Sequence, residues 1–385
     1  DGHFEPGYTL VVPLLNLFEA KGDGWVVDRQ ALRRIANTVQ SVDRPVVLYL
    51  FSTHFSESAP IEPVLAQDPA NMAQTPQGPL PPEKYLGWPL YPWSIARTDN
   101  GVTQRRDEAI RALTQTLCAL PADARGRIAG INLLGEVHHL YPDFEAGMGY
   151  NRPYVLTDYS PASRAGFREW LRQRFKGDVA ALNAYLGASF ASFDQIEPPS
   201  RDIRRERLDH FWQHLDEAAA GTLAISGWAH DGALPAGRTP WVRVYLDGQP
   251  VGRVPAHFAR QDVLQAKPEF GTAEVGWRYD LRFADQPPGR HRIDIALEGH
   301  DGALRLLGTR HFSVMDRDQT PPVDAPLRQP LPPMVAPGAG VQFWVDAPQD
   351  ERAVFYNPLV PLWHAFRGQQ VVDYLAHFDH LLDQS

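Results

Sequence analysis

Two nearly continuous apolar runs, YTLVVPLLNL at residues 8 to 17 and PVVLYLFS at 45 to 52, constrain this chain more than anything else in it. Unbroken runs of this kind fit strands of a parallel sheet covered on both faces, whereas a strand with one face in water alternates. Between them Leu32, Ile35 and Val39 recur at helical spacing, with Asp28 placed to cap the helix N-terminus. A strand, a helix and a second strand in about 45 residues make one βαβ unit.

The stretch 56 to 101 is rich in Pro, Gly and Gln and contains YLGWPLYPW. It is too long and irregular for an ordinary connection and reads as a functional loop. A helix over 104 to 120 follows, and the run Ile128 to Leu134 forms a further strand that ends at Gly135 and Glu136. Helices are expected at 161 to 175, capped by Ser160 with Pro161 in the first turn, and at 178 to 186, closed by Gly187. Cys118 is the one cysteine; it falls in the pattern Ile110, Leu113, Leu117, Leu120 and is expected as a buried small hydrophobe.

From 222 to 315 the pattern changes to short alternating segments, among them LAISGWAHD and WVRVYLDGQPVGRV, with Asp247-Gly248 and Asp301-Gly302 as hairpin turn signals. This reads as an all-β sandwich of immunoglobulin-like size. A Pro-rich linker at 320 to 337 leads to VQFWV, a possible fourth strand of the parallel sheet, and to an amphipathic helix over 362 to 382.

The net charge is −9, and the 37 Lys and Arg are scattered rather than gathered into a stripe, which argues against nucleic acid as a partner. No apolar run approaches the roughly 20 residues that span a bilayer. P-loop, strand-linked GxGxxG and GxSxG motifs are all absent, so no cofactor is expected and serine-hydrolase chemistry has no support. The chain starts at Asp1 rather than Met, as after removal of a signal peptide or in a fragment, and an extracytoplasmic location is the expectation.

The segment YSPASRAGFREWLRQRFKGDVAALNAYLGASFASFDQI resembles the helical stretch that follows the acid/base strand in beta-galactosidase-type members of the clan A glycoside hydrolases. The resemblance covers roughly residues 1 to 200 and is most specific at 128 to 196. It implies an α/β fold of TIM-barrel type, incomplete in this chain, over 1–221, interrupted by the β-sandwich at 222–315 and rejoined through 316–385. It also implies that Glu136, in INLLGEVHHLYPDF, is the carboxylic acid that protonates the leaving glycosidic oxygen. Gly135 stands where that group usually carries Asn.

A Glu at the carboxyl end of a buried strand stands where such folds assemble their sites, and burial beside aromatic rings raises a carboxyl pKa toward the working range of a general acid. His138, His139, Tyr141 and Asp143 follow Glu136, and Trp88 and Trp93 could stack on sugar rings; these are the expected contacts to a carbohydrate substrate. Adjacent His138 and His139 point to opposite sides of a strand end, so no metal site is expected from them. Hydrolysis also needs a second carboxylate. Glu19 and Asp346, each at a strand end, are the available candidates. The competing reading is a carbohydrate-binding or scaffold protein that keeps the cleft without the chemistry.

Overall fold

The computed structural model describes residues 6–50, 58–85, 88–133, 157–235, 237–318, 323 and 326–384. They divide into two compact units, one running to Ser200 and resuming at Leu362, the other from Arg201 to Pro361. The segment after 316 thus belongs to the second unit as far as Pro361.

The first unit opens with β1 (Tyr8–Val12), a hairpin of β2 (Phe18–Lys21) and β3 (Gly24–Val27), helix α1 (Arg29–Ser41) and β4 (Val46–Leu50). Asp28 caps α1 as the sequence indicates, its carboxylate accepting the Gln30 and Ala31 N–H groups at 2.7 and 2.9 Å. The irregular stretch holds α2 (Glu62–Leu65) and four short strands: β5 paired with β6 (Gln74–Thr75, Gly78–Pro79), then β7 (Glu83–Tyr85) paired with β8 (Trp88–Leu90). Then come α3 (Gly101–Cys118), α4 (Ala122–Arg125), β9 (Ile128–Asn132), α5 (Pro161–Arg174) and α6 (Val179–Leu186). Gly187 closes α6 at a φ of 63°, a left-handed turn that glycine adopts without steric cost.

β1 and β9 flank β4 in a three-stranded parallel sheet, Leu10 lying opposite Leu48 and Leu48 opposite Ile131. Val46, Leu48 and Leu50 share one core with Leu32 and Val39 of α1, Ile110 and Leu113 of α3, and Tyr374 and Phe378 of the C-terminal helix (Leu359–Asp383). The alternate residues Val11 and Val47 are 36% and 37% exposed.

This overturns the expected TIM-barrel-type α/β fold. A barrel closes when eight parallel strands are each bonded on both sides. Among the described residues the parallel sheet of this unit stops at three strands, with β1 and β9 as open edges, and β-sheet of other kinds dominates the chain. The βαβ signal was local and real, but it carries no information on how many such units follow. Cys118 is also corrected. It lies one residue beyond the inward Leu117, which rotates it out of the core, and it is exposed.

The second unit contains β10 (Thr222–Asp231), β11 (Trp241–Leu246), β12 (Gln249–Pro255), β13 (Phe258–Ala259), α7 (Gln261–Ala266), β14 (Glu274–Arg282), β15 (Gly289–Glu298) and β16 (Leu304–Val314). Three further strands, β17 (Met334–Val335), β18 (Val341–Ala347) and β19 (Arg352–Val354), complete it. One sheet has the order β13-β14-β10-β18, the other β12-β11-β15-β16-β17 with β19 also on β16. Strict alternation explains the pairing. Leu223, Ile225 and Ala229 of β10 and Val242, Val244 and Leu246 of β11 all enter one core, with Trp277 and Phe312 filling it.

The Asp247-Gly248 signal makes the two-residue turn between β11 and β12, at φ values of 49° and 85°. Asp247 also accepts from His291 at 2.7 Å, inside the core, which fixes the turn to β15. VQFWV is not a fourth parallel strand. It forms most of β18, antiparallel to β10, because Val345 is needed to cover Ala229 and its neighbours in this core. No described helix is long and apolar enough to cross a membrane.

Candidate active site

Parallel strands with helical crossovers place ligands beyond their carboxyl ends, where the loops gather. In the first unit those ends are Val12, Leu50 and Asn132. The loop after β4 is described again from Ser58, whose hydroxyl donates to the Pro89 carbonyl at 3.0 Å and ties the aromatic segment to this place. Met72 bridges Trp93, and the Ser94 N–H donates to the Asn71 carbonyl at 2.7 Å.

Glu62, the first residue of α2, is fully buried in this layer. Its Oε2 accepts the Ala59 N–H at 2.7 Å, while Oε1 has no hydrogen-bond partner among the described residues. Burial is the largest influence on this carboxyl and pushes its pKa from 4.5 up to about 7, against the opposing effects of the Ala59 N–H, Arg106 and Trp93. The Trp93 indole N–H is near enough to favour the carboxylate, yet it does not close into a hydrogen bond, so both Oε1 and Nε1 stay unpaired. Tyr91 stacks on Trp93 with ring centres 5.2 Å apart, and burial followed by the charge of Glu62 raises its hydroxyl pKa. Behind the carboxyl, Arg106 donates to the Tyr374 hydroxyl at 3.1 Å.

A second polar group adjoins the first through Ser94. The buried Asp158 carboxylate accepts from the Ser94 hydroxyl at 2.5 Å, the Gln74 N–H at 3.0 Å and the Ser160 N–H at 2.8 Å. The loop after β4 and the chain entering α5 are therefore stitched together at one carboxylate. Arg367, on the C-terminal helix, donates through Nη1 to Gln370, and its Nε and Nη2 have no hydrogen-bond partner among the described residues. Burial lowers its pKa to about 10, opposed by Asp158 and Tyr159, so it remains a cation at neutral pH. Burial also lowers the pKa of His364, one turn before it.

The chain matches no model of a known protein family, and no curated protein matches it.

Of the residues singled out from sequence, Glu136, His138, His139, Tyr141 and Asp143 lie outside the described residues. The described neighbours of that segment are Leu133, directly after β9, and Thr157, directly before Asp158. Trp88 belongs to β8, with its side chain outside the description, and Trp93 is buried against Tyr91. Glu19 sits in the β2–β3 hairpin, and Asp346 is in the second unit, paired with Arg260 at 2.5 Å. Sequence reasoning missed Glu62, Asp158 and Arg367. Each had a weak signal: Glu62 interrupts the apolar PIEPVL, Asp158 precedes the Ser160-Pro161 helix start, and Arg367 directly follows the largely apolar helical run LVPLWHAF.

Proposed function

We propose that the chain hydrolyses glycosidic bonds of a polysaccharide or oligosaccharide by carboxylic-acid general acid/base chemistry, with Glu136 as the acid. The observation that carries the reading is the position of its segment. Glu136 follows Asn132, the carboxyl end of β9, by four residues in sequence, and the described chain resumes just before Asp158, which is bonded to Ser94 and Gln74 of the aromatic loop. Glu62, a carboxyl that holds its proton up to about pH 7, lies in that layer against Tyr91 and Trp93. An environment that keeps a carboxylic acid neutral near physiological pH is what a glycosidic leaving group requires of its proton donor.

The test is a polysaccharide panel in which new reducing ends are counted. Hydrolysis of at least one member is expected, and Glu136→Gln should lower its rate by about 10² to 10⁴ while leaving binding and folding intact, since the amide keeps the shape and cannot donate the proton. A panel with no product, or a variant with full activity, overturns the proposal.

A non-catalytic sugar-binding role is favoured by a different feature, in the second unit. Trp344 on β18 is 55% exposed, and its cross-strand neighbour Trp228 on β10 is partly buried against Phe270, so Trp344 presents the open aromatic face. Flat aromatic faces of this kind stack on apolar sugar faces, as aromatic rings do with other amphipathic surfaces. Retention of a polysaccharide without any cleavage would favour this second reading.

A further inference from the structure

The helices α1 and α3, with β3, enclose a groove of about 590 Å³ on the first unit. Arg29 and Arg33 line it from α1, and Arg111 and Gln115 line it from α3, over a floor that includes Leu32. Among the described residues none of the three arginines has a carboxylate partner, although most of their neighbours do: Arg34 pairs with Asp28 at 3.6 Å, Arg105 with Glu108 at 2.7 Å and Arg127 with Asp123 at 3.2 Å. Glu108 is the one carboxylate in the lining, and Arg105 already engages it.

The placement of these cations works against the helix that carries them. Arg29 and Arg33 are four residues apart, on one face, where like charges repel. Both lie in the first two turns of α1, at the positive end of its macrodipole, and no acidic residue follows the Asp28 cap in the first turn. A chain of net charge −9 thus holds three unneutralised guanidinium groups around one depression. Each is a planar fork suited to bidentate bonding with an oxyanion, and the volume is in the range of small-molecule sites.

We propose that this groove binds an oxyanion-bearing ligand, one that presents a carboxylate, sulfate or phosphate group to Arg29, Arg33 and Arg111 and an apolar face to Leu32. The site uses none of the residues assigned to glycoside hydrolysis, so it stands or falls independently of Glu136. Two sources share the chemistry: an acidic saccharide, and a free inorganic anion or small phosphate ester.

Calorimetric titration of the full chain at low salt with trigalacturonate and, separately, with inorganic phosphate tests the proposal. Saturable binding of at least one probe is expected. It should weaken by at least about tenfold in Arg33→Gln/Arg111→Gln, since hydrogen bonds to charged groups are each worth roughly that factor. Arg238→Gln, which removes an exposed arginine of the second unit, should leave binding unchanged. Tight binding of trigalacturonate alone assigns the saccharide source, and equal binding of phosphate assigns the free-anion source. Absence of saturable binding by both probes, an unaffected double variant, or equal loss in the Arg238 control overturns the proposal. Arg33 and Arg111 are exposed and hold no carboxylate partner among the described residues, so an unchanged melting temperature in the double variant is expected and separates lost binding from lost fold.

Discussion

Replacing Glu62 by Gln removes the titration of one buried carboxyl and keeps its shape. In the folded chain that group takes up its proton at about pH 7, and in the unfolded chain at its ordinary value of 4.5. Between these two values the folded state binds more protons than the unfolded state, so this group makes stability fall as pH rises. Its contribution is fully favourable below 4.5 and has been lost once pH passes 7. A difference of 2.5 pKa units corresponds to about 3 kcal/mol, an order-of-magnitude figure for a fully buried group. The glutamine carbonyl can still accept the Ala59 N–H and is neutral at every pH. Urea unfolding of both proteins from pH 4.5 to 8 gives the difference in unfolding free energy, in which every other titrating group cancels. The two should be nearly equal at the acid end, with the variant more stable by up to about 3 kcal/mol at the alkaline end. A difference that stays flat across the window would refute the assignment of a raised pKa to Glu62, and one that rises toward acid would reverse its sign.

Two further substitutions test the packing around the proposed site and in the β-rich unit. Asp158→Ala removes the acceptor for Gln74, Ser94 and Ser160 and the favourable field at the buried Arg367, and should cost about 3 to 5 kcal/mol in urea unfolding; a cost under about 1 kcal/mol, the scale of an exposed ion pair, would show that the carboxylate is not the tie described. Gly227→Ala would place a Cβ 2.2 Å from the Trp344 carbonyl oxygen and 2.8 Å from the Trp277 ring, so β10 must shift, and a loss of at least about 3 kcal/mol is expected by thermal melting; a variant that melts like the parent would contradict the close approach of β10 and β18.

What could be read from the sequence was what short-range physics controls. Asp28, Ser160 and Gly187 mark helix ends because their side chain or backbone freedom settles hydrogen bonds within four residues, and all three act there. Asp247-Gly248 made a hairpin for the same reason. The errors arose where the answer depends on distant partners. The run VQFWV has the composition of a buried strand in either unit, and only the need of β10 for a neighbour assigns it to an antiparallel sheet. Cys118 sits in a helical pattern that is correct, but one residue of rotation separates the inward Leu117 from the surface. The step from one βαβ unit to a closed barrel was an extrapolation of number, and periodicity does not count strands.

The candidate site shows the same limit more sharply. Glu136 could be singled out because a strand pattern ends beside it, whereas Glu62 could not, since its pKa is a property of what surrounds it in space. Ala59, Trp93, Arg106 and Tyr91 lie 3 to 44 residues away in sequence, and none of them alone identifies a buried acid. Arg367 and Asp158 are 209 residues apart and meet only because the C-terminal helix returns to the first unit. Burying a carboxyl without a second hydrogen bond, and a guanidinium with two idle nitrogens, costs stability that a core of apolar residues would not incur. Both groups lie in the layer where the loop after β4 and the chain entering α5 are stitched together, the place to which parallel strands bring ligands. The pair of Arg253 with Glu298 in the second unit engages both carboxylate oxygens, whereas the ion-paired Asp216 and Asp294 of that unit each keep one oxygen without a hydrogen bond among the described residues. In the first unit Glu62, Trp93 and Arg367 carry such idle atoms in that layer, and this is the observation that makes it the candidate site.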